Sequence, residues 1–319
     1  MQETKNTMKP EIIVVCGPTA TGKTRLGIEL AEKLNGEIVS ADSMQIYRRM
    51  DIGTAKATAA ERARVPHHML DVAEPWEDYS VSRYVQEAGE VCDRLLAAGK
   101  TPILVGGTGL YIDSLLSGRD FAERDDGDEG LRAALGEEYD RRGGAAMLET
   151  LRAFDPERAA KLHPADKRRI LRAIEIYRMT GRTITAHDAE TRARPPRYRA
   201  FTAALSYRDR ADLYARIDSR VDAMIAEGLF EEVEGLLQGG LSAACTAMQA
   251  IGYKEAALAL KGEMSREEAA ALIKQASRRY AKRQLTWFGR NKAAHWIRWE
   301  KTPDFAAAVG ELLPLLSTE

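Results

Sequence analysis

The chain has 319 residues, 45% of them hydrophobic, which is enough to bury a substantial core. Its 47 basic and 48 acidic residues give a net charge of −1, which excludes a uniformly basic nucleic-acid binder. No apolar run approaches the about 20 residues of a membrane helix, and residues 1–10 lack a signal-peptide pattern, so we expect a cytoplasmic protein without a membrane partner. Three scattered cysteines, Cys16, Cys92 and Cys245, indicate reduced core residues rather than a disulfide framework or a zinc site.

The N-terminal part alternates between short apolar strands and helices. A β-branched run at 12–16 ends at a glycine and precedes a helical stripe at 24–34. A strand at 38–40, a serine-capped helix at 80–98 and a buried strand at 102–105 follow. This alternation predicts an α/β fold with a parallel sheet covered by helices on both faces.

The pattern changes after Gly118, where the acidic segment 120–130 reads as a linker or hinge. Residues 131–190 have a helical pattern throughout, and the Pro195-Pro196 pair cannot continue a helix. We therefore predict an inserted, all-helical domain at 119–199.

Strand–helix patterns return after this insertion. Residues 201–205 form a candidate strand, 209–292 are largely helical, and 295–299 form a last short strand. The catalytic core is thus predicted to combine residues 1–118 with 200–319.

Residues 17–24, G-P-T-A-T-G-K-T, match the phosphate-loop pattern G-x-x-x-x-G-K-[ST] between a strand and a helix. Backbone N–H groups and the helix N-terminus suit a diphosphate, Lys23 neutralises phosphate oxygens, and the Thr24 hydroxyl is a candidate ligand for Mg²⁺. A chance match in a glycine-rich turn is the alternative. The predicted diphosphate-binding residues are Gly17, Pro18, Thr19, Ala20, Thr21, Gly22, Lys23 and Thr24.

A phosphate loop alone does not identify a reaction, because kinases, motors and switches share it. Many of these enzymes hold Mg²⁺ with an aspartate at a strand end, whereas strand 102–105 ends in G-G-T-G at 106–109. Two glycines and a hydroxyl suit close approach of the backbone to a substrate, which argues against simple ATP hydrolysis. Asp42 follows the strand at 38–40, where it could accept a proton from a nucleophile or cap a helix.

Further motifs occur in order along the chain. They are S-A-D-S-M-Q-I-Y at 40–47, D-I-G-T-A-K at 51–56, P-H-H-M-L-D at 66–71, L-V-G-G-T-G-L-Y at 104–111, H-P-A-D-K-R-R-I-L-R-A-I-E at 163–175, R-I-D-S-R-V-D-A-M at 216–224, I-G-Y-K-E at 251–255 and K-R-Q-L-T-W-F at 282–288. With the phosphate loop, they closely resemble the tRNA isopentenyltransferase family, whose bacterial members are tRNA dimethylallyltransferases. The resemblance spans nearly the whole chain.

This resemblance implies a P-loop NTPase-like parallel sheet core with an inserted all-helical domain. The implied reaction transfers a dimethylallyl group from dimethylallyl diphosphate to N6 of the adenosine next to the anticodon, position 37, with release of diphosphate. Mg²⁺ is the implied cofactor. The implied partners are dimethylallyl diphosphate and the anticodon stem-loop of tRNA, and we expect the protein to be a monomer.

Catalytic roles follow from the same resemblance. Asp42 is the implied proton acceptor, Lys23 and Arg220 stabilise the leaving diphosphate, and Thr108 hydrogen-bonds at the reacting centre or to RNA. The residues alone leave other roles open. Arg220 could pair at the surface with an acidic neighbour on its helix, and Thr108 could bond to its own backbone.

RNA binding is predicted in four segments, where basic side chains meet phosphates and aromatic rings stack on bases. The predicted tRNA-binding residues are Asp42, Ser43, Met44, Gln45, Thr108, Arg168, Arg169, Ile170, Leu171, Arg172, Gln249, Ala250, Ile251, Gly252, Tyr253, Lys254, Lys282, Arg283, Gln284, Leu285, Thr286, Trp287, Phe288 and Gly289. Arg168 stands where the family more usually has glutamine. The arginines could instead form a solvated helix face, and Trp287 and Phe288 could be core residues. His67 and His68 have no matched acid in the sequence pattern and are interpreted as structural.

Two other functions remain open from the residues alone. A small-molecule kinase would use ATP at the same loop and consume it without RNA. A non-catalytic RNA-binding protein would bind tRNA and never release diphosphate.

Overall fold

A computed structural model of the protein describes residues 11–118 and 129–316. The chain divides into two compact units, one formed by Met1–Leu116 with Tyr198–Glu319 and the other by Ser117–Arg197. The acidic linker expected at 120–130 falls largely outside the described residues. No helix in the described ranges is long and apolar enough to cross a membrane.

The first unit is built on one sheet, whose strands in the described ranges all run parallel. The strands are β1 (Ile12–Cys16), β2 (Gly36–Ser40), β3 (His67–His68), β4 (Thr101–Gly106), β5 (Ala200–Tyr207) and β6 (His295–Trp299). Their order is β3-β2-β4-β1-β5-β6, and only the two-residue β3 was not predicted. All five residues of β1 are buried, as expected for a central strand with helices on both faces. The predicted α/β fold class is confirmed.

Four helices follow the first strands and complete the N-terminal part of this unit. They are α1 (Lys23–Lys33), α2 (Ala59–Arg64), α3 (Val81–Ala97) and α4 (Gly109–Ser117). The predicted serine cap is present, because the Ser80 side chain accepts a hydrogen bond from the Arg83 amide at 3.1 Å. Thr58 caps α2 in a capping box with Glu61, and this short-range signal is visible in the sequence as T-x-x-E.

The second unit is helical throughout its described residues. Its helices are α5 (Glu129–Arg142), α6 (Gly144–Arg152), α7 (Pro156–Ala159), α8 (Lys167–Thr180) and α9 (Ile184–Ala193). Its own apolar core includes Leu135, Met147, Leu151 and Ile174, all almost fully buried. The last helix ends directly before Arg194 and the proline pair, where a helix cannot continue.

The C-terminal part returns to the sheet and adds α10 (Arg210–Ala226), α11 (Leu229–Gln238), α12 (Tyr253–Leu260), α13 (Arg266–Phe288) and α14 (Phe305–Leu316). Helix α14 was not predicted, although Leu312 and Leu316 are buried in the main core. Cys16 and Cys92 are buried as expected, but Cys245 is partly exposed, so the prediction that it is a core residue is wrong. All three are free thiols, and burial raises the pKa of Cys16 to about 12.

Candidate active site

The phosphate loop connects β1 to α1 and contains two glycines in the left-handed backbone region. Gly17 has φ +137°, and a Cβ there would lie 2.4 Å from the Leu205 carbonyl oxygen of β5. Gly22 has φ +83° and directly precedes α1, where a Cβ would lie 2.6 Å from the Phe305 ring. Only glycine fits either position, which explains why the motif has glycine at both.

Side chains of the loop bond back to its own backbone. Thr21 Oγ1 donates to the Pro18 carbonyl at 2.9 Å, and Lys23 Nζ donates to the same oxygen at 2.8 Å. Burial lowers the pKa of Lys23 to about 8, an effect that the charge of Arg220 strengthens and that of Asp42 opposes. Lys23 is therefore an ammonium held close to a second cation and a carboxylate, as a binding site for a polyanion requires.

Gln284 of α13 holds the phosphate loop to the end of β4. Its Oε1 accepts the Thr19 amide at 3.0 Å, and its Nε2 donates to the Gly107 carbonyl at 2.9 Å. The side chain is 5% exposed. Its prediction as an RNA contact conflicts with this arrangement, because both ends of the amide are already bonded within the protein.

Asp42 and Thr108 lie beyond the ends of the adjacent strands β2 and β4. Asp42 Oδ1 accepts the Met44 amide at 2.9 Å in a turn, so Asp42 does not cap a helix. Thr108 Oγ1 accepts the Ser43 amide at 3.0 Å, so its hydroxyl bonds to the neighbouring loop rather than to its own backbone. The two strand ends are thus joined beside the carboxylate.

The glycines of the G-G-T-G segment make room for the protein itself. A Cβ on Gly106 would lie 2.1 Å from the Ala41 carbonyl oxygen, and one on Gly107 would lie 2.2 Å from Gln284 Nε2. A Cβ on Gly109 would similarly meet the Trp287 ring at 2.2 Å. Neighbouring loops and α13 therefore occupy the space beside these three glycines, and of the three only Gly106 lines the cavity described below.

Arg220 projects from α10 and is partly buried, and among the described residues it forms no ion pair with an acidic neighbour on its helix. Its Nε is buried without a hydrogen-bond partner in the described part of the chain. Burial lowers the pKa of Arg220, and the charge of Asp42 opposes that shift. A buried guanidinium nitrogen that lacks a partner is a donor for a bound anion.

Lys23, Asp42 and Arg220 line one cavity, which has a volume of about 1160 Å³. Its walls include the predicted residues Thr19, Ala20, Gly22, Lys23, Thr24, Asp42, Ser43, Met44, Gln45, Arg220, Gln249, Ala250, Ile251, Gly252, Arg283 and Gln284. Other predicted residues of this unit do not line it, namely Gly17, Pro18, Thr21, Thr108, Tyr253, Lys254, Lys282, Leu285, Thr286, Trp287, Phe288 and Gly289.

Two of the cavity residues that were not predicted as functional, Tyr280 and Lys56, form specific polar contacts. Tyr280 of α13 lines the cavity and hydrogen-bonds to Thr108, and burial raises the pKa of its phenol to about 12. Lys56 is almost fully buried, and its ammonium donates to the Tyr47 carbonyl at 2.7 Å and to Asp51 and Asp71 at 2.6 and 2.7 Å. Lys56 closes the D-I-G-T-A-K motif, so its place in that motif was the available signal.

Other side chains that were predicted to contact RNA are bonded or buried within the protein. The Gln45 amide donates to the Thr54 carbonyl at 3.2 Å, and its oxygen accepts the Ser40 hydroxyl at 3.1 Å. Tyr253 and Phe288 are 0% and 5% exposed, so neither ring is available to stack on a base.

The remaining residues of this part of α13 stay near the surface. Trp287 Nε1 donates to Asp113 at 2.8 Å, with the Arg290 guanidinium 5.1 Å from the centre of the ring. Lys282 and Arg283 are exposed, and Arg283 also lines the cavity. The basic side chains of the segment therefore remain accessible to a polyanion.

The arginine cluster of the second unit lies on α8. Arg168 and Arg169 are exposed, and Arg169 lies 3.9 Å from Asp166. Arg172 pairs with Glu175 at 3.0 Å. Leu171 is half-buried and Ile170 is fully buried in the helical core, so the Ile170 side chain cannot be an RNA contact.

His68 has an acidic partner that the sequence pattern did not reveal. Its Nε2 lies 2.6 Å from Glu37 of β2, which also pairs with Lys100. The interpretation that it has no matched acid is therefore wrong. The pair lies on neighbouring strands and gives the histidine a structural partner.

The residues present fit Mg²⁺ bound mainly by substrate. Thr24 lines the cavity beside the phosphate loop. Among the described residues, no group of three or more histidine, cysteine or acidic side chains could hold a metal ion. Mg²⁺ commonly takes few protein ligands and completes its shell with phosphate oxygens and water, which matches a single hydroxyl.

Family models match most of the chain. The model described as IPP transferase matches residues 45–292, and that described as isopentenyl transferase matches residues 10–73. A tRNA dimethylallyltransferase of Geobacter sulfurreducens is 44% identical, over 94% of this chain and 96% of that protein. One from Halothermothrix orenii is 46% identical, over 95% of this chain and 92% of that protein.

Solved structures agree with these sequence matches. The full-length tRNA isopentenylpyrophosphate transferase of Bacillus halodurans superposes with a TM-score of 0.71 at 39% identity, covering 95% of this chain and 94% of that one. A eukaryotic dimethylallyltransferase acting on tRNA gives a TM-score of 0.78 at 30% identity, covering 91% and 74%. The chain belongs to the IPP transferase family.

Proposed function

We propose that the protein transfers a dimethylallyl group from dimethylallyl diphosphate to N6 of adenosine 37 in tRNA and releases diphosphate. The observation that carries the proposal is that two partly buried cations, Lys23 and Arg220, line the same cavity as the carboxylate of Asp42, whose charge acts on both. The cations suit a departing diphosphate, and the carboxylate suits an incoming amine. The names of the family relatives support tRNA as the acceptor.

The cationic end of the cavity would stabilise the leaving group. In the reaction a bond forms between N6 and the terminal allylic carbon, while the bond from that carbon to diphosphate oxygen breaks. The electron pair leaves with diphosphate, whose charge meets Lys23, Arg220 and the N-terminus of α1. Bound Mg²⁺, held by phosphate oxygens and Thr24, would supply further positive charge.

Asp42 would accept the proton that the amine must lose. An exocyclic adenine amine is weakly basic and becomes acidic as the new bond to carbon forms. The carboxylate keeps one oxygen bonded to the Met44 amide, which fixes its orientation and leaves the other oxygen for the substrate. Thr108 and Tyr280 surround this turn and would orient it rather than take the proton.

The acceptor would enter against the wall formed by residues 249–252 and Arg283. Exposed basic side chains on α13 and, in the second unit, on α8 would bind phosphates of the anticodon stem-loop. We propose a monomer as the working unit. A tRNA substrate also supports a cytoplasmic location.

One assay tests the proposal. The protein is incubated with labelled dimethylallyl diphosphate, Mg²⁺ and unmodified tRNA, and the tRNA is then digested to nucleosides. We expect the label on adenosine N6 at a single position. Steady ATP consumption without RNA would favour a kinase, and tRNA binding without diphosphate release would favour a non-catalytic binder.

A further inference from the structure

We infer that Glu232 is a positioning residue for this transfer, an inference that rests on the proposed function. Glu232 lies on α11, outside every motif that carries the family resemblance. One carboxylate oxygen accepts the backbone amides of Asp51 and Ile52, both at 2.8 Å. The other accepts the Gly53 amide at 3.2 Å and the Tyr253 hydroxyl at 2.5 Å.

Four donors on one carboxylate make a strong, directional attachment. Hydrogen bonds to a charged acceptor are about twice as strong as neutral ones, and three of these donors are successive amides of one loop. The ring of Tyr253 fills the space beside Gly53, where a Cβ would lie 2.4 Å from Cε2. Glu232 therefore holds the loop at 51–53 directly against Tyr253 of α12.

The held loop forms a wall of the cavity, since residues 51–56 all line it. The carbonyls of Thr54 and Ala55 accept the Gln45 amide at 3.2 and 3.3 Å, and Gln45 in turn accepts the Ser40 hydroxyl. Ser40 and Gln45 flank the turn that carries Asp42. Glu232 thus acts on the proton acceptor through the loop and Gln45, without entering the cavity.

Glu232 also attaches this wall to the segment assigned to the acceptor. Tyr253 directly follows residues 249–252, which line the cavity on the same unit. No hydrogen bond joins Glu232 to the phosphate loop among the bonds described for residues 11–118. Its loss should consequently affect turnover and use of tRNA, while binding of dimethylallyl diphosphate stays near normal.

The test compares Glu232→Gln with Glu231→Gln. Glu231 is the adjacent residue, is exposed, and pairs with Arg266 at 3.2 Å. The side-chain oxygen of glutamine at position 232 can still accept the Asp51 and Ile52 amides. Its NH₂ group then faces the Gly53 amide, so two donors meet and that hydrogen bond is lost. We expect kcat/KM for tRNA to fall by ~10–10²-fold, the size of effect that misplacement of reacting groups produces, with the Kd for dimethylallyl diphosphate within about twofold of wild type.

Thermal unfolding is measured alongside, and all kinetics are run below the lowest Tm. Equal tRNA kinetics in the two variants, or an equal loss of diphosphate binding in Glu232→Gln, would overturn the inference. If Glu232→Gln does not fold, Tyr253→Phe decides, because it removes only the phenol donor. It should lower kcat/KM for tRNA several-fold, and an unchanged value overturns the inference. Failure of the proposed function itself would be seen earlier, as wild-type protein that does not label tRNA.

Discussion

The backbone amide of Thr19 in the phosphate loop donates a hydrogen bond to Oε1 of Gln284, 265 positions later in the chain. The same side chain donates to the Gly107 carbonyl beyond β4. One buried amide therefore sets the distance between the phosphate loop and the loop that carries Thr108. Because Gln284 has both a donor and an acceptor in use, neither aspartate nor glutamate could replace it.

Replacement of Gln284 should destabilise the protein. In Gln284→Ala the Thr19 amide and Gly107 carbonyl lose a buried partner, and each unsatisfied group costs ~1–3 kcal/mol. Urea unfolding should show this loss of free energy, whereas Gln275→Ala at an exposed position on the same helix should change it by less than ~0.5 kcal/mol. Equal stability of the two variants would argue that water or repacking satisfies both groups.

The cations of the cavity should matter for the diphosphate more than for tRNA. Lys23→Ala and Arg220→Ala each remove one partly buried positive charge from the wall of the cavity. We expect the Kd for dimethylallyl diphosphate to rise by ~10-fold or more, in line with loss of a charge-assisted hydrogen bond. Binding of tRNA, measured separately, should be nearly unchanged. Equal loss of tRNA affinity with normal diphosphate binding would assign both cations to RNA instead.

Diphosphate binding should weaken as pH rises through 8. Burial lowers the pKa of Lys23 to about 8 in the free protein, so the ammonium is charged below this pH and neutral above it. A bound anion raises the pKa of Lys23. Above about pH 8, binding of the diphosphate must therefore be accompanied by protonation of Lys23, and this requirement weakens binding as the pH rises. The affinity should fall by at most ~10-fold per pH unit in this range. Lys23→Met should lose this extra dependence and keep only that of the ligand, whereas identical pH profiles would contradict the assignment.

Binding of tRNA should depend strongly on salt although the net charge is only −1. Arg169 is 68% exposed on α8, and its acidic neighbour lies 3.9 Å away, so the guanidinium is accessible to a phosphate. Arg169→Gln should reduce the slope of log K against log salt by about one unit. Arg152, which pairs with Glu149 at 2.8 Å in the same unit, provides the control. An unchanged slope for Arg169→Gln would show that Arg169 contacts no phosphate and belongs to a solvated face of α8.

Local signals predicted the elements that position the site. The phosphate loop has a fixed sequence because Gly17 and Gly22 require left-handed backbone, and the buried run at 12–16 requires a central strand. Such constraints act between near neighbours, so a sequence reveals them directly. The Ser80 cap was predicted for the same reason.

Long-range pairings were not predictable in this way. The sequence assigned Gln284 to RNA because it is a polar residue within a family motif, yet its amide bonds to Gly107, 177 positions earlier in the chain. Glu232 lies in none of the recognised motifs. Its partners at 51–53 lie about 180 positions earlier in the chain, so no local pattern links them to it. Contacts of this kind depend on which elements the fold brings together, and a single sequence does not encode them as a pattern.

The role of Asp42 has the sharpest test, because the proposed chemistry requires a proton acceptor at this position. Its Oδ1 accepts the Met44 amide at 2.9 Å, an acceptor role that the amide oxygen of asparagine can reproduce. Asp42→Asn should therefore preserve the turn and leave binding of tRNA and diphosphate nearly unchanged, while kcat falls by ~10²–10⁴-fold, the range for loss of a general base. Single-turnover assays with prebound tRNA measure the chemical step, and Asp78→Asn, at a carboxylate outside the cavity walls, provides the control. Near-normal kcat with weakened tRNA binding would make Asp42 a positioning residue, and water or the departing diphosphate would then remove the proton.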